Sequence, residues 1–470
     1  MPINERYRAD PLFAGLGPEF ADPVAPAKFP RHRLRQRNQK WAAAIGLDTL
    51  SDAEWLAHMA QFAPLPANMP NPLAMRYHGH QFRTYNPDLG DGRGFLFAQV
   101  RDSAGRLLDL GTKGSGQTPY SRRGDGKLTL KGGVREVLAA EMLEALGAYT
   151  SKAFSLVETG EALVRGDEPS PTRSSVLVRL SHSHIRFGTF QRLAFFERAD
   201  LMRQLLDHVS AAYYPEHTTP EALFGEIVEA SGRLAASWMA VGFVHGVLNT
   251  DNLNVTGESF DYGPWRFLPF SDPGFTAAYF DETGLYAFGR QPEAVSWALA
   301  QLGGALTILA DASALEKEMT RYVPAFQAAL VDRLFARLKL KRGAEDDDLN
   351  FIQALFDWLS ESRAGWDQFF HDWIGADAAR AAESPQARLY AAPAFAPIRT
   401  GLEARGAGAP THPYFERPTP VSLVIEAVEA LWAPIAERDD WAPFEAKLAE
   451  IETLKQALGM SCHARVAQTS

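Results

Sequence analysis

The stretch His245-Gly-Val-Leu-Asn-Thr-Asp251-Asn252, followed nine residues later by Asp261-Tyr-Gly263, decides how the rest of the chain is understood. In protein kinases a loop of the form His-x-Asp-x-x-x-x-Asn supplies a base and a metal-binding Asn, and a later Asp-Phe-Gly supplies a second metal-binding carboxylate. Here His245 and Asn252 keep the spacing and Asp261-Tyr262-Gly263 stands for Asp-Phe-Gly, but the base position is held by Val247. Valine cannot accept a proton. What remains is half of a phosphoryl-transfer site: oxygen ligands from Asn252 and Asp261, suited to a hard cation such as Mg²⁺, and an additional carboxylate, Asp251, beside Asn252. Singly each piece is more often a turn, because Asn and Asp bond their own backbone and tolerate positive φ. Their order is what points to the kinase arrangement: a helix-compatible segment over 221–242, this loop, a β-type run ending at Asp261, then an irregular segment over 263–291 in the place of an activation loop.

Composition bounds the class. A chain of 470 residues, 46% hydrophobic and 22% charged, is large enough for two or three lobes with cores of their own. A net charge of −10 argues against nucleic-acid binding, which needs a basic footprint. The single cysteine, Cys462, excludes an intrachain disulfide and fits a reducing compartment. Residues 1–17 carry Glu5 and Asp10 and no apolar core, so no signal peptide is expected; no apolar run approaches a membrane span. These features predict a cytoplasmic protein without membrane or nucleic-acid partners.

Along the chain, the basic run over 28–37 reads as a solvated face, and Ser51-x-x-Glu54 predicts a capped helix ahead of Trp55. Asn86-Pro-Asp-Leu-Gly90-Asp-Gly92-Arg93 is a Gly-rich stretch able to approach a phosphate or ribose, although most such runs are turns. A hairpin over 95–110 ends near Lys113, which a second Gly-rich segment follows, Gly114 to Gly126 with Asp125 inside it. A Lys leaving a strand with such a loop behind it suits a nucleotide site. A helix over 131–147 carries Glu136, placed either to pair with Lys113 or simply to favour the helix N-terminus. Residues 174–180 form a strand pattern, and Arg179 and Arg186 offer planar donors for phosphate oxygens around Ser181-His-Ser-His-Ile185, whose histidines read as structural. Helical spacing returns over 201–213, 221–239 and 292–309. Asp346-Asp-Asp348 reads as a solvated turn or cap, the aromatic-rich segment 351–373 as packing, 378–420 as a connector, and 421–432 and 443–458 as closing helices. The resulting expectation is an α+β, protein-kinase-like two-lobe fold. Residues 1–72 are an N-terminal extension, 73–190 a small lobe with an antiparallel sheet plus a helix, 191–340 a mostly helical large lobe, and 341–470 a C-terminal helical extension.

The assembled motifs resemble the selenoprotein O / YdiU family of pseudokinases, which are protein AMPylators. The resemblance runs over about 72–292, in Gly79-His-Gln-Phe82, Leu89-Gly-Asp-Gly-Arg93, Gly111-Thr-Lys-Gly-Ser-Gly-Gln-Thr-Pro-Tyr-Ser121, Ser183-His-Ile-Arg186-Phe-Gly-Thr-Phe190 and the loop from His245 to Asn252. It implies an ATP bound in flipped orientation, with AMP passed to Ser, Thr or Tyr hydroxyls of protein substrates, the enzyme itself among them. By motif, it makes Lys113 and Glu136 an ion pair, assigns Arg179 and Arg186 to the phosphates, and puts Gly90, Gly92, Arg93, Asp125 and Gly126 on the nucleotide. It gives Mg²⁺ to Asn252 and Asp261, and makes Asp251 the proton acceptor, which answers the puzzle of Val247. Mn²⁺ with UTP is the other pairing these residues leave open, and a monomer is expected. A protein or small-molecule kinase, weakened by Val247, and an inactive ATP-binding scaffold are the alternatives. Two features depart from the family pattern: the segment from Asp272 to Asp281 has no cysteine, and Leu285 and Arg290 stand where Arg and Asn are expected.

Overall fold

A computed structural model describes residues 3–460 apart from Asp167, so Cys462 lies outside the described residues. The strands are β1 (Ala21–Pro23), β2 (Arg33–Arg37), β3 (Leu73–Met75), β4 (Gly79–Gln81), β5 (Thr84–Asn86), β6 (Leu96–Arg101), β7 (Leu107–Lys113), β8 (Leu128–Thr129), β9 (Lys152–Leu163), β10 (Thr172–Ser181), β11 (Phe243–Val244) and β12 (Arg266–Phe267). Eight of them form one antiparallel sheet in the order β1-β3-β6-β7-β10-β9-β2, with β8 also on β10. The first helices, α1 (Gln39–Ala44) and α2 (Asp52–Met59), cover one face of this sheet, and α3 (Leu130–Ala145) covers the other.

The alternation of side chains along a strand decides what reaches the site. On β10, Val176, Val178 and Leu180 join Trp55, Phe97 and Phe154 in the outer core, whereas Leu177 joins Val134, Val137 and Leu138 of α3. Arg179 shares the parity of Leu177 and so lies on the inner side. On β7 the outward positions are Leu108 and Leu110, which leaves Lys113 inward. The predicted capping box at Ser51 and Glu54 is present, and the buried Trp55 indole donates to Ser155 Oγ at 2.9 Å. Truncating an aromatic side chain buried this way costs about 3–5 kcal/mol.

Below the sheet lies a helical lobe: α4 (Phe187–Phe195), α5 (Ala199–Tyr213), α6 (Pro220–Val241), α7 (Gln291–Leu306), α8 (Ala312–Met319), α9 (Tyr322–Leu338) and α10 (Glu345–Ser362). Smaller helices follow, α11 (Trp366–Asp372), α12 (Ala378–Ala382), α13 (Ala387–Ala391) and α14 (Ala396–Arg405), before α15 (Ile425–Arg438) and α16 (Ala442–Leu458). A sheet lobe with a strand Lys and a helix Glu, joined to a helical lobe whose loop after α6 carries His245 to Asn252, is the protein-kinase arrangement. No helix among the described residues is long and apolar enough to cross a membrane.

Four local expectations are corrected. The basic run over 28–37 is not a solvated face: its end is the edge strand β2, where Arg35 pairs with Glu158 at 2.7 Å and Asp439 at 2.7 Å. No strand leads directly into Asp261. Residues 254–260 instead fold around the Asn254 carboxamide, whose oxygen accepts the Thr256 and Glu258 N–H groups at 3.2 Å each, and the local pairing is β11 with β12. The supposed connector 378–420 contains α12 to α14, with Tyr390 and Phe395 buried against Trp358 and Trp373. Asp346 and Asp347 open α10 as cap-like acids, but Asp348 is fully buried between Arg342 at 2.8 Å and Arg405 at 3.2 Å.

Candidate active site

Between the lobes lies a cleft of about 700 Å³. Every site residue designated from the sequence lines it except Glu136, which stands behind Lys113. The Lys113 ammonium donates to Glu136 Oε1 and, at 2.7 Å, to Asp261 Oδ1. Arg179 lies 3.3 Å from the same Asp261 oxygen and 3.8 Å from Glu136 Oε2. Two carboxylates thus hold two buried cations, and the choice left open for Glu136 resolves in favour of pairing: it is 2% exposed and a turn and a half into α3. Burial pushes the Asp261 carboxyl up, but Lys113, Arg179, Arg186 and Arg93 outweigh it and hold the group well below the usual carboxylate range. Asp261 adopts φ 64°, a left-handed conformation uncommon outside glycine and the kind of strain that marks functional sites.

The loop after α6 is fixed from several sides. His245 is buried, which lowers its pKa; its Nε2 meets the Phe260 carbonyl at 2.9 Å, tying the loop to the chain that enters Asp261. Its backbone N–H donates to Gln291 Oε1 at 2.9 Å. Asn249 Oδ1 accepts from the Phe82 N–H at 3.1 Å and the Tyr286 hydroxyl at 2.8 Å. Arg186 donates to the Asp251 carbonyl at 2.6 Å and lies 3.5 Å from Asp91. With its backbone held in this way, Asp251 presents a carboxylate whose buried Oδ1 has no hydrogen-bond partner. Burial pushes this carboxyl up to about 6, with Arg186 and Arg122 pulling it down and Asp261 pushing it up. Val247 lines the same cleft.

Over the cleft runs the loop 114–126, pinned by its own hydroxyls. The Ser121 hydroxyl bonds the Gly92 carbonyl, the Thr118 hydroxyl the Asp91 carbonyl and the Tyr120 hydroxyl Asp22. Thr118 N–H donates to Ser121 Oγ at 2.8 Å, and Gly124 N–H to the Ser121 carbonyl at 2.7 Å. A Cβ on Gly90 would stand 2.3 Å from the Tyr120 ring, and one on Gly92 2.9 Å from the Tyr120 carbonyl. The glycines assigned to the nucleotide are therefore also what lets this loop settle. Asp125 is on the exposed rim, paired with Arg165 at 2.8 Å.

Asn252 Nδ2 donates to Asp261 Oδ2 at 3.1 Å, which puts an amide and a carboxylate side by side at the cleft wall. No group of three His, Cys, Asp or Glu among the described residues could hold a metal ion. The oxygen donor set fits Mg²⁺, which commonly takes one or two protein oxygens and completes its shell with substrate phosphates and water. Two departures from the family pattern also find their places: Arg290 binds Glu293 at 3.1 Å and the Gly284 carbonyl at 3.3 Å, and Leu285 packs on the core. Of the histidines of 181–185, read from the sequence as structural, His182 meets the Tyr149 hydroxyl through Nδ1 at 2.5 Å, whereas His184, whose backbone N–H donates to Asp109 at 2.8 Å, lines the cleft. Sequence reasoning passed over Asp91, and Arg122 and Arg123 in the loop 114–126, all of which line the cleft. The signal was the double arginine in a Gly-rich segment, Ser121-Arg-Arg-Gly124.

A family model described as Protein adenylyltransferase SelO matches residues 4–393. A protein nucleotidyltransferase YdiU of Synechococcus elongatus is 46% identical over 475 residues, covering 93% of this chain and 94% of that protein. The YdiU of Gloeobacter violaceus is 46% identical over 460 residues, covering 93% of each chain, and that of Azotobacter vinelandii is 38% identical over 369 residues, covering 77% and 74%.

Proposed function

This chain belongs to the SelO protein adenylyltransferase family and is a protein nucleotidyltransferase; from that premise we propose that it transfers AMP from ATP to Ser, Thr or Tyr hydroxyls of protein substrates. The observation that carries this reading is the substitution of roles in the loop: Val247 lines the cleft where a kinase places its base, while Asp251 offers an unpartnered carboxylate oxygen beside Asn252. The cations of the deep wall, Lys113 and Arg179, suit the β- and γ-phosphates of an ATP bound in flipped orientation. The α-phosphorus then faces Asp251. In the transfer step the acceptor hydroxyl gives its proton to Asp251, its oxygen bonds to the α-phosphorus, and the bond from that phosphorus to the β-phosphate oxygen breaks. Pyrophosphate leaves with its charge balanced by Lys113 and Arg179. Mg²⁺, held by Asn252 and Asp261, would supply neutralisation of phosphate charge. The loop restraints from Arg186, His245 and Asn249 keep Asp251 positioned, so little reorganisation accompanies the reaction.

Intact mass spectrometry of the full chain, incubated with ATP, Mg²⁺ and casein as acceptor, tests this. Addition of an adenylyl group to casein or to the chain is expected. Addition of a phosphoryl group, or ATP bound without any adduct, would overturn the proposal.

A further inference from the structure

We propose that Arg122 is a catalytic residue, whose guanidinium contacts the non-bridging oxygens of the α-phosphoryl group as it passes to the acceptor. The inference rests on the AMP-transfer reading and adds to it a group on the loop that runs over the cleft. The argument begins with charge. The deep cations have other places: Lys113 and Arg179, paired with Glu136 and Asp261, are those assigned to the β- and γ-phosphates, and Arg186 holds Asp91 and the Asp251 carbonyl. Three other guanidinium groups, those of Arg93, Arg122 and Arg123, line the cleft, are exposed, and have no hydrogen-bond or ion-pair partner among the described residues.

Position separates these three. Arg93 precedes β6, whereas Arg122 and Arg123 sit on the loop 114–126 over the cleft that also holds Asp251, and between these two the backbone decides. A free cation lining that cleft can meet the negative charge that gathers as the acceptor oxygen loses its proton and the phosphoryl group moves. Backbone geometry gives an independent argument. Arg122 has φ 53°, a left-handed conformation that is strained for a non-glycine residue and persists only where its surroundings impose it. They do so here: the hydroxyls of Thr118, Tyr120 and Ser121 fasten the chain just before it, and the Gly124 N–H closes the turn after it. A strained residue on a pinned loop, carrying an uncommitted guanidinium into the cleft, is preorganised for a charge that appears only during the reaction. The fork of arginine suits two phosphoryl oxygens at once, which an ammonium cannot match.

The test compares wild type with Arg122→Ala and Arg122→Lys as full chains, measuring AMP transfer from α-labelled ATP to casein and, separately, ATP affinity and melting temperature. For Arg122→Ala, kcat should fall on the order of 10²- to 10³-fold, as for loss of one preorganised donor, while ATP affinity and melting temperature stay put. Arg122→Lys should recover only a minor part, and added guanidinium ion should partly restore Arg122→Ala. An undiminished kcat, or a loss confined to KM, would overturn the inference, and if Arg122→Ala misfolded, full turnover by a folded Arg122→Lys would do the same. Failure of the parent reading is distinguishable, because it shows in the wild type alone, as absence of α label on any protein.

Discussion

Replacing Glu136 by Gln removes one of the two carboxylates that face Lys113 and Arg179 while keeping the shape of the side chain. In the wild type Lys113 Nζ bonds Glu136 and, at 2.7 Å, Asp261, and Arg179 stands 3.3 Å from Asp261 and 3.8 Å from Glu136. A hydrogen bond to a charged group contributes about 1.5–3 kcal/mol. The loss should stay below the roughly 3–5 kcal/mol of breaking a buried pair outright, because Asp261 continues to face both cations. A melting point lowered by a few degrees is the expected consequence. The effect on chemistry should be larger than this suggests. Without Glu136 the ammonium leans wholly on Asp261, so the oxygen proposed for the metal is drawn away from it. If most of the lost interaction energy appears in the transition state, turnover falls roughly 10- to 100-fold, and the Mg²⁺ concentration for half-maximal rate rises. Transfer of α-labelled AMP titrated with Mg²⁺, beside thermal denaturation, measures both. An unchanged Mg²⁺ midpoint with an unchanged rate would refute the reasoning, and a collapse of the fold would make Glu136 structural.

Asp251→Asn keeps the backbone carbonyl that Arg186 grips but removes the base, so AMP transfer should drop on the order of 10²- to 10⁴-fold with ATP affinity retained; an undiminished rate in steady-state assays would remove Asp251 from its role. Because a base works deprotonated and this carboxyl is pushed up to about 6, kcat/KM of the wild type should fall as pH drops below about 6 and level off above it, and a profile flat down to pH about 4 would contradict this. Asp261→Ala, or excess EDTA with the wild type, should abolish transfer, and full turnover in EDTA would remove the metal from the account. Gly90→Ala places a Cβ 2.3 Å from the Tyr120 ring, which should cost about 1–3 kcal/mol in chemical denaturation and disturb the loop carrying Arg122; a variant with wild-type stability and rate would show that the loop does not depend on that contact.

Much of the site was legible because kinase-like chemistry fixes spacings within short stretches. His245, Asn252 and Asp261 are read from one local frame, and Lys113 from a hairpin whose edges are punctuated by Gly and Asp. What failed was long-range or masked by composition. The twelve-residue strand β9 escaped notice because Ser155, Glu158, Thr159 and Gly160 interrupt its apolar pattern, although Ser155 and Thr159 are buried by partners on neighbouring elements. The arginines of β2 look solvated until Asp439, some four hundred residues away in the chain, closes on Arg35. The run before Asp261 has the β-branched residues of a strand, but the Asn254 carboxamide competes for its backbone N–H groups and bends it. The doublet Arg122-Arg123 in its Gly-rich segment was the signal for a basic loop, but it does not distinguish Arg122 from Arg123, because the φ that does so cannot be read from sequence.

The central claim is that AMP, not a phosphoryl group, leaves ATP for a protein hydroxyl with Asp251 as base. The position of the label measures this directly. With α-labelled ATP and Mg²⁺, the acceptor protein should become labelled, and with γ-labelled ATP it should stay blank while labelled pyrophosphate appears in solution. Transfer of the γ label to protein, with the α label remaining in free ADP, would contradict the account.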